Sequence, residues 1–476
     1  MLFTSLEFVI LVLITFVIYY LPGGRTPASN FQMITLIVSS LFFYGYYEPI
    51  LVLLLLFSVG INVVSSYLII YGRPANRRMH AIWGVVLNLA ILLFFKYSGL
   101  LGSALFGKDT EVVAFLVSIP LPIGISFFTF QGISLIVDTY RNRDLESYRS
   151  LIPRLWLSHA RNVLLFKSFF PQLVSGPIVK AYYFLPQIKQ KHFGEINWEY
   201  CFRALTLGYF LKMVVADNLK DQTGLIVYPF FEAESTLTLL TMLFGYSMQI
   251  YADFAGYSLI ALGLAALFGY QFPINFNFPY ISSTFSEFWR RWHISLSSFL
   301  REYLYIPLGG NRHGWFRTYF NLFITMVLGG LWHGAAWSYA IWGTFHGLLL
   351  VIERIVVNHV TLKPHVLFHI LKVLFVFSLV TFAWLLFKLP DFSHVIAYVR
   401  AVALNGDRPH NVLPIALVLV YSVPVIGYHI WYLLRESKMA FLQAAQSRSE
   451  SLLFGVMLFL IITNSGSSNS FIYFQF

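Results

Sequence analysis

The chain has 476 residues, of which 58% are hydrophobic and only 11% are charged. A soluble domain usually carries about 25% charged residues, so this composition excludes an ordinary soluble protein and indicates one that crosses a membrane several times. The net charge of +11 does not indicate nucleic-acid binding, because no dense basic run is present and the cytoplasmic loops of membrane proteins collect Lys and Arg. The single cysteine, Cys201, excludes an intramolecular disulfide and a cysteine-based metal site, and we expect no bound metal.

Apolar runs predict about twelve crossings of a hydrocarbon core roughly 30 Å thick. The first run follows no basic residue, so we interpret it as a retained span rather than a signal peptide. The predicted fold is an all-α polytopic membrane protein of roughly 11–12 transmembrane helices, with additional re-entrant and interfacial helices. The runs lie at 7–21, 31–46, 50–71, 82–101, 112–137, 204–220, 236–269, 318–335, 337–356, 366–387, 412–434 and 451–463.

Most of the 32 Lys and Arg residues fall in loops on one side of the membrane if the N-terminus faces outward. The positive-inside rule therefore predicts that both termini lie on the outer side. Two inward segments, 139–203 and 270–317, are too long to be plain connectors and are predicted to enclose a cavity. Within the first segment, the helix-breaking proline and glycine residues of 164–187 indicate re-entrant or interfacial backbone. The prolines of SIPLPIG, residues 118–124, predict another helix break.

The inward segment 285–314 interleaves arginines with tryptophans. Residues 286–304 contain no helix breaker, and their spacing places Arg290, His293 and Ser297 along one helical face. One interpretation is an interfacial helix whose arginines contact lipid headgroups. The other is a cytoplasmic mouth for an anionic cofactor, because arginine pairs with phosphates and tryptophan can stack on adenine.

His333 lies in the apolar stretch TMVLGGLWHGAAWSYAIWGTFHG, residues 325–347. A histidine at membrane depth is costly and is therefore a candidate for function. Desolvation favours the neutral imidazole, which is a suitable general base. The alternative is a packing histidine bonded to a neighbouring helix. We favour catalysis because three glycines, Gly329, Gly330 and Gly334, are expected to leave space around the ring. We interpret His346 as a packing residue or as one that supports the residues of the site.

Several ordered segments resemble the membrane-bound O-acyltransferase (MBOAT) superfamily, and in particular its bacterial alginate O-acetyltransferase branch. The resemblance covers most of residues 90–350. It implies one membrane-embedded domain, 1–476, in the bacterial inner membrane, with its core at 90–350. The implied fold is a helical shell around a thin central partition, with a cytoplasmic and an outer funnel. The segments are EFWRRWHISLSSFLREYLYIPLGGNR, LGGLWHGAAWSYAIWGTFHG, GISFFTFQGISLIVDTYR, FFPQLVSGPIVKAYYFLPQI and GYSMQIYADFAGYSLIALGLAALFGYQFPINFNFPY.

The resemblance also implies a mechanism. His333 matches the superfamily's nearly invariant histidine, the expected general base, and His293 matches the second polar site residue of the bacterial branch. An acyl thioester enters from the cytoplasm, and His293 or a backbone N–H stabilises the oxyanion. The expected donor is acetyl-CoA, used as a substrate and not as a permanently bound cofactor, with an acyl carrier protein as the alternative. The residues expected to bind the donor are Arg290, Arg291, Arg301, Trp289 and Trp332.

The C-terminal tail, residues 464–476, is a polar linker followed by the aromatic segment FIYFQF. One interpretation is a disordered or interface-anchored tail. The other is that the segment folds back into the outer funnel, where Tyr473 accepts the acetyl group and passes it on. By analogy, a similar aromatic motif ends a small partner peptide of the D-alanylation system.

The expected partners are membrane lipid, an exported polysaccharide and a periplasmic acetyltransferase protein, because the predicted outer loops are too short to hold a polymer. Alginate-type exopolysaccharide is the first choice of acceptor, with cellulose and peptidoglycan open. Two other classes of function also remain: a transporter or flippase with His333 and Asp253 on its pathway, and a scaffold that only recruits a periplasmic enzyme. For Asp253 we expect a neutral carboxyl bonded to Tyr246 or Tyr257.

Overall fold

The computed structural model describes residues 1–21, 28–107, 110–174, 176–359, 365–436, 440–467 and Phe471, and within these residues the regular structure is helical. The chain divides into two compact units. The first comprises Met1–Ala204 and Ile260–Pro273, and the second comprises Leu205–Leu259 and Ile274–Phe476.

The helices of the first part of the chain follow the predicted apolar runs closely, with short helices in the segment between them. They are α1 (Leu6–Tyr20), α2 (Ala28–Gly45), α3 (Ile50–Tyr71), α4 (Arg77–Phe106), α5 (Glu111–Ser118), α6 (Ile125–Arg141), α7 (Glu146–Arg149), α8 (Trp156–Ser168), α9 (Phe170–Leu173), α10 (Ala181–Phe184) and α11 (Trp198–Tyr209).

The second part of the chain contains the longest helix and a series of shorter ones before the last long helices. They are α12 (Asp217–Thr223), α13 (Thr236–Leu267), α14 (Phe285–Arg291), α15 (Ile294–Leu300), α16 (Gly314–His333), α17 (Trp337–His359), α18 (Val366–Lys388), α19 (Phe392–Leu404), α20 (Val412–Glu436) and α21 (Ala440–Thr463). Two π-helical segments, Phe210–Ala216 and Arg301–Tyr305, interrupt this series.

Six helical stretches among the described residues are long and apolar enough to cross a membrane. Many of their large apolar side chains are exposed, as expected for faces that contact lipid. The prediction of an all-α polytopic membrane protein is therefore confirmed. The stretches are Ile50–Tyr71, Pro74–Phe106, Thr236–Leu267, Trp337–Val357, Val366–Lys388 and Val412–Leu434. The full number of crossings, the funnels and the sides of the termini remain predictions.

The sequence analysis makes two predictions about helix breaks, of which one is confirmed and one is wrong. The predicted break at SIPLPIG is confirmed, because α5 ends at Ser118 and α6 begins at Ile125. The prediction of an uninterrupted helix over 286–304 is wrong. His293 has a left-handed backbone (φ 41°) that separates α14 from α15, so Arg290, His293 and Ser297 do not share one helical face.

The first unit contains a polar stripe along one face of α3. Ser58 and Ser66 lie two helical turns apart on this face. Lys167 of α8 is fully buried and donates a hydrogen bond to the Ser58 hydroxyl (2.6 Å), while the Ser66 hydroxyl lies 2.8 Å from Nε2 of His159. The predicted broken backbone at 164–187 is present as α9 and α10, two four-residue helices within buried chain.

In the second unit, α16 and α17 meet backbone to backbone. A Cβ added at Gly330 would lie 2.3 Å from the Tyr339 carbonyl oxygen and 2.8 Å from Cα of Gly343. A Cβ at Gly334 would lie 2.2 Å from the Tyr339 ring. The prediction that these two glycines leave space around His333 is therefore wrong, because both permit close packing instead.

Candidate functional site

A partly open cavity of about 120 Å³ lies in the second unit, and His333 is part of its wall. The wall is mainly apolar, with the polar groups of a few side chains among aliphatic ones. This composition is typical of a small-molecule site, where a few polar groups orient a ligand. Its lining residues are Trp289, Leu296, Ser297, Leu300, Arg301, Tyr305, Thr325, Met326, Gly329, His333, Trp342 and Leu350.

His333 is the last residue of α16, and its position follows from helical spacing. Thr325, Gly329 and His333 are four residues apart and therefore share one face, which is the face toward the cavity. The ring of His333 is 4% exposed and packs edge-on against Trp342 and Phe387, each with a centroid distance of 5.1 Å. These aromatic contacts fix the imidazole at the cavity wall.

Two tryptophans supply hydrogen-bond donors in the cavity wall. The indole nitrogens of Trp289 and Trp342 are buried and have no hydrogen-bond partner among the described residues. An indole nitrogen can only donate, and a buried donor without a partner is costly. These N–H groups are therefore suited to an oxygen atom of a ligand in the cavity. Sequence reasoning assigned Trp289 to the donor site but did not single out Trp342.

The three arginines expected to bind the donor occupy different places. Arg301 is exposed and belongs to the cavity wall, at the start of a π-helical turn. Arg291 pairs with Glu287 (3.0 Å) and donates to the carbonyl oxygen of Asn277 (3.0 Å). Arg290 donates to the Ser286 hydroxyl (3.1 Å). The structure thus brings Arg301 together with His333 and gives Arg290 and Arg291 contacts within the surrounding segment.

Helix α14, which presents Trp289 to the cavity, is capped at its N-terminus. The Thr284 hydroxyl accepts from the backbone N–H of Glu287 (3.0 Å), and the Glu287 carboxylate accepts from the backbone N–H of Ser283 (2.9 Å). This arrangement resembles a capping box, except that Glu287 reaches the N–H of the residue before the cap. The Glu353 carboxylate of α17 accepts from the next N–H groups, those of Phe285 and Ser286. The short helix is thereby attached to α17.

His293 is fully buried and does not belong to the cavity wall. Its Nδ1 lies 3.1 Å from Oδ1 of Asn275, and its ring packs edge-on against Phe254 at 4.6 Å. Burial lowers the pKa of His293 to about 3, so the imidazole is neutral at physiological pH. Trp332 lies beside both histidines, with centroid distances of 6.1 Å to His293 and 4.9 Å to His333. Trp332 therefore contacts both rings, and it is not among the lining residues of the cavity.

Asp253 takes part in a buried charge cluster. Lys212 lies 2.8 Å from Asp253 and 2.6 Å from Asp217, and all three side chains are almost inaccessible. The close ammonium partner is at odds with the expected neutral carboxyl, while a bond from Asp253 to Tyr246 or Tyr257 stays a prediction. The ring of Tyr257 contributes a cation–π contact with Lys212 at 5.4 Å.

The tail folds back onto α12 and α13. Gly466 donates its N–H to the Met213 carbonyl oxygen (2.9 Å), and Asn218 donates to the Asn464 carbonyl oxygen (3.0 Å). Phe471 is fully buried, with centroid distances of 4.4 Å to Tyr257 and 5.5 Å to Phe254. Tyr473 lies outside the described residues. Residues 464–467 and Phe471 of the tail therefore pack against the folded chain, and entry of the aromatic segment into an outer funnel stays a prediction.

A single methyl group at Gly466 should detach this tail. A Cβ there would lie 2.7 Å from backbone atoms of Asp217 and Asn218, which cannot move without disturbing α12. We expect Gly466→Ala to accelerate amide hydrogen exchange in residues 464–467 by about 10-fold or more, the equivalent of losing roughly 1.4 kcal/mol of local stability. Gly406→Ala is the matched control, because a Cβ at Gly406 meets nothing within 4 Å. Equal exchange in the two variants would contradict this account of the docked tail.

Comparison with known proteins identifies the family. The sequence model of the MBOAT, membrane-bound O-acyltransferase, family matches residues 82–390. The peptidoglycan O-acetyltransferase of Helicobacter pylori is 36% identical over 424 residues, covering 82% of this chain and 79% of that protein. The probable alginate O-acetylase AlgI of Pseudomonas aeruginosa is 38% identical over 407 residues, covering 82% of this chain and 72% of that protein.

A more distant relative has a different named activity. The teichoic acid D-alanyltransferase of Bacillus subtilis is 27% identical over 405 residues, covering 81% of this chain and 96% of that protein. Acyl transfer is thus common to the named relatives, while the acyl group and the acceptor vary. The chain is a multi-pass membrane acyltransferase and belongs to the membrane-bound O-acyltransferase family.

Proposed function

We propose that this chain is an O-acetyltransferase that takes an acetyl group from cytoplasmic acetyl-CoA and delivers it across the membrane. The receiving hydroxyl belongs to an exported polysaccharide or to a periplasmic partner protein. The observation that carries the proposal is the cavity with His333 and Arg301 in one wall. It combines a group that can accept a proton with an exposed cation suited to the phosphates of the donor.

His333 is the base in this scheme. It takes the proton of the attacking hydroxyl as the new C–O bond forms, and it gives that proton to the thiolate sulfur as the thioester bond breaks. The negative charge that develops on the acyl oxygen needs hydrogen-bond donors. The indole N–H groups of Trp289 and Trp342 fill this role, because both are buried in the same wall and lack other partners among the described residues.

The docked tail supports a relay in which Tyr473 is the first acceptor. Phe471 occupies a buried position beside Phe254, and Tyr473 follows it by two residues. In the first step the phenol oxygen of Tyr473 gains the acetyl group and CoA leaves as a free thiol. In the second step the acceptor hydroxyl attacks this ester, and the tyrosine phenol is regenerated.

The relatives are named for different polymers, so several acceptors have to be compared. Alginate-type exopolysaccharide is our first choice, because alginate O-acetylases recur among the relatives at 35–38% identity. Peptidoglycan follows, because the Helicobacter pylori relative at 36% identity is named for it. Cellulose is the third acceptor. The acetyl content of each isolated polymer, compared between wild type and a deletion strain, decides among them.

The donor is tested with purified protein. Acetyl-CoA should be consumed with release of free CoA, and Arg301→Gln should raise the KM for acetyl-CoA by about 10-fold, which corresponds to roughly 1.4 kcal/mol. The KM for acetyl-pantetheine, which lacks the nucleotide phosphates, should not change. Gln at Arg291 is not a suitable control, because Arg291 holds Glu287 and Asn277. The absence of turnover with acetyl-CoA, combined with turnover of an acyl carrier protein, would reassign the donor.

The same preparation separates the other functional classes. Substrate flux in liposomes without turnover of any acyl donor would indicate a transporter or flippase. A scaffold that recruits a periplasmic enzyme would support polymer acetylation in cells even after His333 is replaced. Neither a transporter nor a scaffold would require the cavity, the docked tail and an acyl donor to act together.

A further inference from the structure

Asn275 holds His293 through the backbone. The N–H of Ile294 donates to the Asn275 carbonyl oxygen (2.9 Å), and the N–H of Asn277 donates to the Arg291 carbonyl oxygen (2.9 Å). The chain around Asn275 therefore lies alongside the junction of α14 and α15. His293, at this junction, has a left-handed backbone (φ 41°, ψ 55°) that residues other than glycine seldom adopt. Such a conformation persists where neighbouring structure fixes it, and it often marks a functional site.

The side chain of Asn275 also contacts His293, and its orientation can be assigned. The backbone N–H of Ser295 lies 3.3 Å from Oδ1 of Asn275, and the Ser295 hydroxyl lies 2.9 Å from the same atom. A backbone N–H can only donate, so the atom it faces is the amide oxygen. The amide nitrogen of Asn275 then donates to the Ser258 hydroxyl at 3.2 Å. The two ends of the amide are thus distinguished by their partners.

This orientation determines the tautomer of His293. Its Nδ1 lies 3.1 Å from the Asn275 amide oxygen, which only accepts, so Nδ1 carries the hydrogen. A neutral imidazole with hydrogen on Nδ1 has its lone pair on Nε2. His293 in this state can accept a proton at Nε2 but cannot donate a hydrogen bond from Nε2 to an oxyanion. The chemistry available to His293 is therefore that of a base.

We propose that Asn275 is a positioning residue that fixes His293 as the proton acceptor for the hydroxyl receiving the acyl group on the Phe471 side. The proposal rests on the acyl transfer proposed above and adds a second base to it. As the hydroxyl oxygen bonds to the acyl carbon, its proton moves to Nε2 of His293. The proton then passes to the oxygen that leaves the acyl carbon, so the imidazole returns to its starting state.

The surroundings of His293 fit this division of work between the two histidines. His293 contacts Phe254, which in turn contacts the buried ring of Phe471. His333 also contacts Trp332, and it lies in the wall of the cavity. The contacts of His293 with Asn275, Phe254 and Trp332 are uncharged. Two charged residues are close to these positions along the chain. Arg291 lies two residues before His293, and Asp253, which directly precedes Phe254, is paired with Lys212.

The neutrality of the amide is part of the proposal. A carboxylate at position 275 would stabilise the imidazolium and retain the proton, whereas an amide orients the ring without trapping the charge. Asn275→Asp keeps the accepting oxygen and adds a negative charge. Asn275→Ala removes the acceptor. Ser258→Ala is the matched control, because it removes a partner of Asn275 and leaves the contact with Nδ1 of His293 intact.

The first test is kinetic. Asn275→Ala should lower kcat by about 10-fold or more with the KM for the acyl donor unchanged, because a misoriented base loses part of the roughly 10²–10⁴-fold that general base catalysis supplies. Asn275→Asp should move the acid limb of the pH–rate profile upward by about one pH unit or more, because the base must be unprotonated and a carboxylate beside His293 raises its pKa. Ser258→Ala should behave as wild type. Equal losses in Ser258→Ala and Asn275→Ala, or an acid limb unmoved in Asn275→Asp, would overturn the proposal.

The second test needs no substrate. Exchange of the imidazole C2 hydrogen for deuterium, followed by mass spectrometry of the peptide that contains His293, reports the pKa of this ring in the intact protein. Asn275→Asp should raise that pKa and Ser258→Ala should leave it unchanged. An unshifted pKa in Asn275→Asp would show that the contact with Asn275 does not govern His293. A shifted pKa in a protein that turns over no acyl donor would instead indicate failure of the proposed function.

Discussion

Replacing His333 by alanine should reduce acyl transfer by about 10²–10⁴-fold, which is the usual contribution of a general base. The ring is fixed at the cavity wall by Trp342 and Phe387, and no other histidine belongs to the described lining of this cavity. Release of CoA from acetyl-CoA by the purified protein measures the effect. The loss should appear in kcat, because the ring acts on the proton and does not bind the donor phosphates.

Two further variants separate catalysis from packing. His333→Gln keeps most of the side-chain volume and should be nearly as inactive as the alanine variant. His346→Leu is the control, because His346 is fully buried among Phe288, Trp289 and Trp342 and its ring nitrogens have no hydrogen-bond partner among the described residues. It should remain folded and active. Wild-type turnover in a folded His333→Gln protein would show that this imidazole is not the base.

Replacing Tyr473 by phenylalanine should reduce acetylation of the polymer to background. In the proposed relay the phenol oxygen is the atom that carries the acetyl group, and phenylalanine keeps the ring but lacks this oxygen. Brief incubation with radiolabelled acetyl-CoA should label the wild-type protein and leave Tyr473→Phe unlabelled. Treatment with hydroxylamine should remove the label, since it cleaves esters.

The neighbouring residue provides the control for this experiment. Phe474→Leu alters the same aromatic segment and retains the phenol, so it should be labelled like the wild type. Deletion of residues 471–476 should match Tyr473→Phe. Full acetylation of the polymer by either of these two proteins would eliminate the relay and leave direct transfer from the thioester. Direct transfer would still require His333, so the two mutations test separate parts of the mechanism.

The transmembrane helices were predictable because membrane-crossing runs are a local property of the sequence. The run 50–71 corresponds to α3, Ile50–Tyr71, and the run 236–269 corresponds closely to α13, Thr236–Leu267. Helix α19, Phe392–Leu404, was not predicted, because its 13 residues include Arg400 and are too few to cross a membrane. Length and continuity of apolar residues therefore account for both the success and the omission.

The site was predictable only in part, because its geometry depends on contacts between distant residues. His333, Arg301 and Trp289 were chosen from the sequence and share the cavity. The helix break at His293 depends on hydrogen bonds with Asn275, eighteen residues earlier, so no local sequence pattern predicts it. Trp342 could have been found only through the spacing of α17 against α16.

The partner of Asp253 illustrates the same limit. The sequence alone assigns no role to Lys212, since a lysine in an apolar run can extend toward either surface. In the folded chain it lies between Asp217 and Asp253. Asp217 is five residues from Lys212, a spacing that brings side chains together only in a π-helical turn such as Phe210–Ala216, and Asp253 comes from the facing helix. A buried charge needs a partner, but the sequence alone does not say which one.

The direct contact between the backbones of α16 and α17 has a consequence for the choice of acyl group. Because no side chain separates Gly330 from Gly343, these two helices cannot move closer together to grip a smaller donor. The room for the acyl chain must instead be set by replaceable aliphatic side chains of the lining, such as Leu300 and Met326. Substitution of single lining residues can therefore change the length or polarity of the acyl group that is accepted, while the imidazole of His333 stays in the same position.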